Sequence, residues 1–382
     1  MTDAPLLIVF MGGMRGSPIE ELLGRSLMES ALDLLEEALA TDAFAAAVLA
    51  TDADVPAARL PPEVTLDRDP GSRDAGDLDV GSFHFGRRLA ALVQELDVQR
   101  PVYVGAGGVP LFRGSDLAAI ARHLAEGENI VIANNYFSAD LVAFTPGAAL
   151  QRIDLPAGDN LLPRLLHDQA GLESRPLPRS SATQFNIDSP ADLAILKLAG
   201  GAGAHLSRFL ADFEAALEPY RHLMSRLVNP KAEVLLAGRV GSQVWSYLES
   251  ETACRVRIYS EERGMQAAGR DTSGEVRSLL AFHLRAVGCQ RFFAELAELA
   301  DAVCIDTRPL LAHLGVQATR PDRFWSDLGC AAKIEEPFLR EFTEAAQQAP
   351  VPVLLGRHSL VAGGLMLLTE ADWREEDKRL LS

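Results

Sequence analysis

Two groups of residues have the types and spacing that chemistry needs. The first is a glycine-rich turn, Gly12, Gly13 and Gly16 around Arg15, directly after the apolar run Leu6–Phe10. Backbone N–H groups converging at such a turn bind phosphate without side-chain bulk. Arg15 adds a forked cationic donor, and Arg25 is the next cation along the chain.

The second group lies in the second half. Each strand predicted there ends in a glycine, a charge or both: Gly238-Arg239-Val240-Gly241-Ser242, Ser260-Glu261-Glu262-Arg263-Gly264, Asp306-Thr307-Arg308 and Gly356-Arg357-His358-Ser359. Ligands of open α/β sheets sit outside the carboxyl ends of the strands. Arg239, Arg263, Arg308 and Arg357 are therefore expected around one anion, with Ser242 and the helix it opens adding donors. Glu261, Glu262 and Asp306 would pair with these arginines or hold a metal. In the plainer alternative, the loops are simply polar and the charges pair among themselves. His358 is the one histidine at a predicted strand end in this half and is the acid–base candidate.

The elements that must position these residues follow from pattern. A chain of 382 residues suggests two or three domains at about 150 residues each. Strand and helix patterns alternate, which predicts an α/β protein: a first domain over 1–205, a linker helix over 206–230 and a smaller α/β domain with a mainly parallel sheet over 231–382. Buried strands are expected at Leu6–Phe10, 45–51, 101–105, 129–133, 139–144 and, shortly, 185–187. Two capping signals, at Ser17 and at Ser26, each predict a helix start. Ser115 is expected to cap a helix over 114–124, and Ser189 a helix beginning with Pro190. Residues 56–81 read as a long acidic, turn-rich connection. One helix is expected over about 206–227. Four strands follow at 233–237, 255–259, 302–305 and 351–355, and the charged segment after Trp373 is expected to fray or cover an edge.

Composition excludes several classes. The net charge is −17, which repels phosphate backbones and disfavours nucleic acid as a partner. The first lysine is Lys197, so a Walker A loop in the first half is excluded. The four cysteines, Cys254, Cys289, Cys304 and Cys330, have no metal-binding spacing and read as buried thiols. No apolar run is long enough for a membrane span, and the N-terminal segment lacks the basic region of a signal peptide. A cytoplasmic protein without membrane partners is expected. The apolar faces of 276–287 and 292–299 read as core or interdomain packing, with a contact between copies of the chain left open.

Four segments carry a family resemblance. LLIVFMGGMRGS looks like an opening strand and nucleotide-holding loop, and LLGRSLMESALDLL like the segment after it. PVYVGAGGVPLFRGSDLAAI is similar to a strand, an Asp-x-Pro-Leu motif and the helix beyond, and FNIDSPADLAIL to a closing strand–turn–helix. Together they resemble nucleotidyltransferases of the GT-A fold over about 200 residues, nearest to the molybdenum-cofactor guanylyltransferase and phospholactate guanylyltransferase group. The resemblance implies a Rossmann-like mixed sheet with flanking helices, an NTP substrate such as GTP or CTP, and Mg²⁺. It places Gly12, Gly13, Arg15 and Gly16 on the triphosphate. Apart from the resemblance, Gly107 and Gly108 offer further bare backbone for binding through glycine N–H groups.

Two departures stand out. The family's loop lysine is missing, leaving Arg15 or Arg25 to replace it. The family's Mg²⁺-binding aspartate before Pro-Leu is also missing, because the stretch reads Gly105-Ala106-Gly107-Gly108-Val109-Pro110-Leu111. Three explanations compete: a scaffold without activity, binding through glycine amides alone, or a metal on another acid. Asp52, Asp54, Asp116, Asp140, Asp159 and Asp188 are the candidate acids. Asp52 and Asp188 are taken as the metal ligands, and Arg15, Asp188 and His358 as the catalytic residues.

The reading is a divergent nucleotidyltransferase-like protein. It binds a nucleotide or phosphorylated small molecule and, if active, transfers a nucleotidyl group with release of pyrophosphate. The alternative is a degenerate scaffold with a binding or regulatory role, any chemistry lying in the C-terminal arginine-rich crevice. A sugar-nucleotide glycosyltransferase would need Asp67-Arg68-Asp69 or Asp77-Leu78-Asp79 beside the glycine turn.

Overall fold

The computed structural model describes residues 4–44, 46–68, 83–266 and 268–381. Packing divides them into two units. The first takes the described residues within Met1–Gly16, Gly24–Asn186 and Ala202–Phe209. The second takes those within Ser17–Leu23, Ile187–Gly201 and Leu210–Ser382.

The first unit is built on a seven-stranded mixed sheet. Its strands are β1 (Leu6–Met11), β2 (Ala47–Thr51), β3 (Val64–Arg68), β4 (Pro101–Gly105), β5 (Ile130–Ala133), β6 (Leu141–Thr145) and β7 (Glu173–Pro176), in the order β3-β2-β1-β4-β6-β5-β7. β6 runs antiparallel to both its neighbours, and the remaining pairs are parallel. The continuous apolar runs of β1, β2, β4, β5 and β6 are buried along most of their length, as sheets covered on both faces require. Ile8, Val48, Phe85, Leu89, Val142 and Phe144 belong to one continuous core.

The second unit holds a four-stranded, wholly parallel sheet. β8 (Glu233–Gly238), β9 (Arg255–Ser260), β10 (Ala302–Asp306) and β11 (Val353–Gly356) lie in the order β11-β10-β8-β9. Phe292, Phe293, Leu339 and Phe342 pack over Leu235, Val303 and Ile305 in its core. Both architectures match the expected class.

Several elements differ from expectation. β3 and β7 are edge strands with sequences VTLDR and ESRP, too polar and too exposed to show an apolar run. Residues 185–187 are not a strand; Phe185 and Ile187 are buried anchors in irregular backbone. The helix Pro18–Leu39 is continuous, so the Ser26 signal falls inside it, with Ser26 fully buried. Asp116, not Ser115, closes the start of the helix Gly114–Glu126, accepting the Arg113 N–H at 2.9 Å. The expected linker helix is two helices, Ala204–Asp212 and Glu218–Leu227, the second restarted by Pro219 in its first turn. The chain after Trp373 continues the helix Leu365–Leu381.

Candidate functional site

In the first unit the crossover direction reverses between β1 and β4. In open α/β sheets this switch point opens a crevice outside the carboxyl ends of the strands. Phe10 of β1 stands opposite Gly105 of β4, and the Ala106 N–H donates to the Phe10 carbonyl at 2.9 Å. The glycine turn follows β1 at this end. Gly12 is open, with nothing within 4 Å of an added Cβ, and Gly16 has φ +116°, a conformation that favours glycine.

The turn is not wholly free for a ligand. The Gly13 N–H donates to the Asp52 carboxylate at 2.5 Å, and the Arg15 guanidinium donates to the Asp52 carbonyl. This corrects the expected roles of both residues, because an internal carboxylate already occupies part of the cradle. The Gly12 and Gly16 amides have no acceptor among the described residues. Arg25 is exposed and likewise makes no ion pair with a described residue.

Beside β4, the Gly108 N–H donates to the Gly105 carbonyl at 2.8 Å, so it is not a free donor as expected. A Cβ at Gly108 would lie 2.7 Å from the Asp140 Cβ and 2.9 Å from its carbonyl oxygen. Asp140 thus fills the space that a side chain at position 108 would need. Asn134 fixes the Asp140 backbone, accepting its N–H at 3.0 Å, and the Asn134 and Asn186 amides each lie 3.4 Å from an Asp140 carboxylate oxygen. The buried Tyr103 hydroxyl donates to Asp159 at 2.8 Å. Burial, then Asp159 and Asp140, push the Tyr103 hydroxyl well above its ordinary pKa, so it remains a donor. Asp140 and Asp159 are thus each tied to this strand end, Asp140 beside the Asn134 and Asn186 amides and Asp159 through the Tyr103 hydroxyl.

The other candidate acids have other work. Asp54 pairs with Arg68 at 3.2 Å, Asp116 caps its helix and Asp67 pairs with Arg88. Asp69, Asp77 and Asp79 lie outside the described residues. Among the described residues no three His, Cys, Asp or Glu side chains form a metal-sized group.

In the second unit the switch point lies between β8 and β10, and it is closed. A Cβ at Gly238 would meet the Asp306 Cβ at 2.5 Å. Arg239 binds Asp306 through two nitrogens, at 2.5 and 3.1 Å, and both residues are buried. Burial alone would raise the Asp306 pKa; the charge and hydrogen bonds of Arg239, together with His358 and Arg308, hold the carboxyl below its ordinary value. Arg308 likewise grips Asp327 at 2.7 and 3.1 Å. This corrects the anion-binding role expected of Arg239 and Arg308, whose forks are filled by buried carboxylates. Glu261 accepts from Ser278 and Leu279, and Glu262 pairs with Arg270.

Asp188 faces a cation already. Arg357 donates to its carbonyl at 3.1 Å and lies 4.0 Å from its carboxylate, while the buried Arg357 Nε has no acceptor among the described residues. An arginine at this distance takes the place expected for a metal beside Asp188. The Asp188 N–H donates to the fully buried Asp192 at 2.8 Å. Burial, then the Asp188 charge, lift Asp192 to about 7.

His358 makes no hydrogen bond with a described residue. Burial and then Arg239 lower its pKa, which keeps the imidazole neutral at pH 7. Arg263 and Ser242 meet at one cavity: the Arg263 guanidinium lies 3.8 Å from a Cβ position at Gly241, and both residues line the same walls.

Sequence reasoning does not single out Tyr103, Asn134 or Asn186. Asn186 sits inside the resembling FNIDSPADL segment, and Tyr103 is the one residue with a polar end in its apolar strand, so each carried a faint signal. No such signal marks Asn134, whose role depends on how β5 and β6 pair.

No family model matches the chain, and no curated protein does. Solved structures similar to part of it include a protein assigned as a nucleotide-diphospho-sugar transferase from Desulfovibrio desulfuricans G20, at 14% identity and TM-score 0.38, covering 56% of this chain and 100% of that one. A cytidylyltransferase from Leptospira borgpetersenii serovar Hardjo-bovis matches at 14% and 0.36, covering 51% and 85%. CMP:2-keto-3-deoxy-manno-octonic acid synthetase complexed with CTP matches at 13% and 0.31, covering 46% and 89%.

Proposed function

We propose that the seven-stranded unit is a divergent nucleotidyltransferase-like module. It binds a nucleotide or a phosphorylated small molecule outside the carboxyl ends of β1, β2 and β4. One observation carries this reading: Asp140 begins 2.7 Å from the origin of any side chain at position 108. In this reading Asp140, at the head of β6, supplies the carboxylate to the same strand end instead of the loop after β4.

The donor set suits Mg²⁺, which takes one or two carboxylates and leaves its other positions to water and substrate phosphates. Asp140 and Asp159, with Asn186, would hold it. When bound there, the ion neutralises charge on the phosphates. The chain's own residues do the rest. The Gly12 and Gly16 amides, with Arg25, face the phosphates of GTP, CTP or a related nucleotide. Tyr103, kept protonated, orients Asp159. In the transfer version, a phosphate or alcohol of the acceptor attacks the α-phosphorus and pyrophosphate leaves.

A second reading is favoured by the Gly13–Asp52 contact. A carboxylate within the cradle opposes a bare polyphosphate, as in a scaffold that retains the fold without transfer. Thermal shift with GTP, CTP, ATP and UTP, with and without Mg²⁺, separates the two. A metal-dependent shift that disappears in Asp140→Asn supports the first reading. A metal-independent shift, or none, supports the scaffold.

A further inference from the structure

One arginine at the strand ends of the second unit has no acceptor among the described residues. Arg239 and Arg308 are each gripped by a buried carboxylate, and Arg357 donates to the Asp188 carbonyl. Arg263, just after β9, makes no hydrogen bond or ion pair with any described residue. Its guanidinium turns toward Gly241, with one nitrogen 3.8 Å from a Cβ position there.

This arginine borders a cavity of about 450 Å³, whose walls include Gly241, Ser242, Trp245, Ile258 and Ser260. That volume is within the range of small-molecule sites. Trp245 is 52% exposed, an unusual state for so large an apolar ring. The Ser260 hydroxyl is engaged by the Val240 carbonyl at 2.7 Å, whereas that of Ser242 has no partner among the described residues. An unpaired fork, a free hydroxyl and a bare indole border one cavity. The fork and hydroxyl suit an oxyanion, and the indole suits a flat apolar body.

We propose that this cavity binds a small molecule carrying a phosphate or carboxylate on a planar ring, the oxyanion on Arg263 and Ser242 and the ring against Trp245. This site is separate from the nucleotide reading of the first unit and does not depend on it.

The test titrates the full-length chain with phenyl phosphate and with benzoate, following tryptophan fluorescence. Saturable quenching is expected with at least one probe, and it disappears in Trp245→Phe although Trp325 and Trp373 remain. Arg263→Gln is expected to weaken binding at least tenfold without changing the thermal unfolding midpoint, because it breaks no contact. Arg255→Gln, at the start of the strand that precedes Arg263 but paired with Glu233, stays within twofold. Quenching by phenyl phosphate alone identifies a phosphate ligand, and quenching by benzoate alone a carboxylate. No saturable quenching with either probe, or undiminished binding in Arg263→Gln, overturns the proposal.

Discussion

Asp140 and Gly108 compete for one position: with a Cβ at 108, the two side chains would start 2.7 Å apart. A glycine there is thus a packing requirement of the loop. Gly108→Ala is expected to destabilise the first unit by about 1–3 kcal/mol, the usual cost of forcing atoms into a filled space. Chemical denaturation of the full chain measures it. Gly12→Ala, where nothing lies within 4 Å, is the control and is expected to cost much less.

Asp52 places a negative charge in the glycine turn. Asp52→Asn keeps an oxygen to accept the Gly13 N–H and removes the charge. Binding of a nucleotide without metal is expected to tighten roughly fivefold, about 1 kcal/mol for a near-surface charge. Titration calorimetry with EDTA present would read this. An unchanged or weaker affinity would place the phosphates elsewhere.

The Arg239–Asp306 pair closes the switch point of the four-stranded sheet. Arg239→Met leaves a buried, uncompensated carboxylate and is expected to cost about 3–5 kcal/mol. Replacing both partners, Arg239→Met with Asp306→Asn, should recover part of that loss. A double-mutant cycle from urea unfolding checks both figures.

Asp192 gives a pH dependence with a definite sign. Its folded pKa of about 7 is above its ordinary 3.8, so the folded state prefers the neutral acid. The stabilisation is fully present below about pH 4 and is lost as pH rises through 7. From pH 5 to pH 8 the wild type should lose a few kcal/mol more than Asp192→Asn, which keeps an acceptor for the Asp188 and Ser189 N–H groups. Equal slopes for the two proteins would mean that Asp192 is ionised throughout.

The sequence made the architecture legible wherever strands were apolar. LLIVF, PVYVG, EVLLA and AVCI each became a buried strand, whereas VTLDR and ESRP, at sheet edges, showed no such run. The glycine turn was visible because glycine spacing is local. Its occupation by Asp52 was not, since that contact joins residues far apart in sequence. The same holds for the arginines. Their places at strand ends could be read, but whether each fork was already filled depended on Asp306 and Asp327, which arrive through the pairing of β10 with β8 and through the helix Arg320–Asp327.

The Gly13–Asp52 contact also bears on selectivity. A loop that carries its own anion discriminates among guests by what accompanies them. A phosphate arriving alone meets repulsion, and one arriving with a counter-ion meets a carboxylate ready to share it. A residue that looks like an obstruction in the empty cleft would then act as an entry condition, admitting cation-escorted ligands and turning away bare ones.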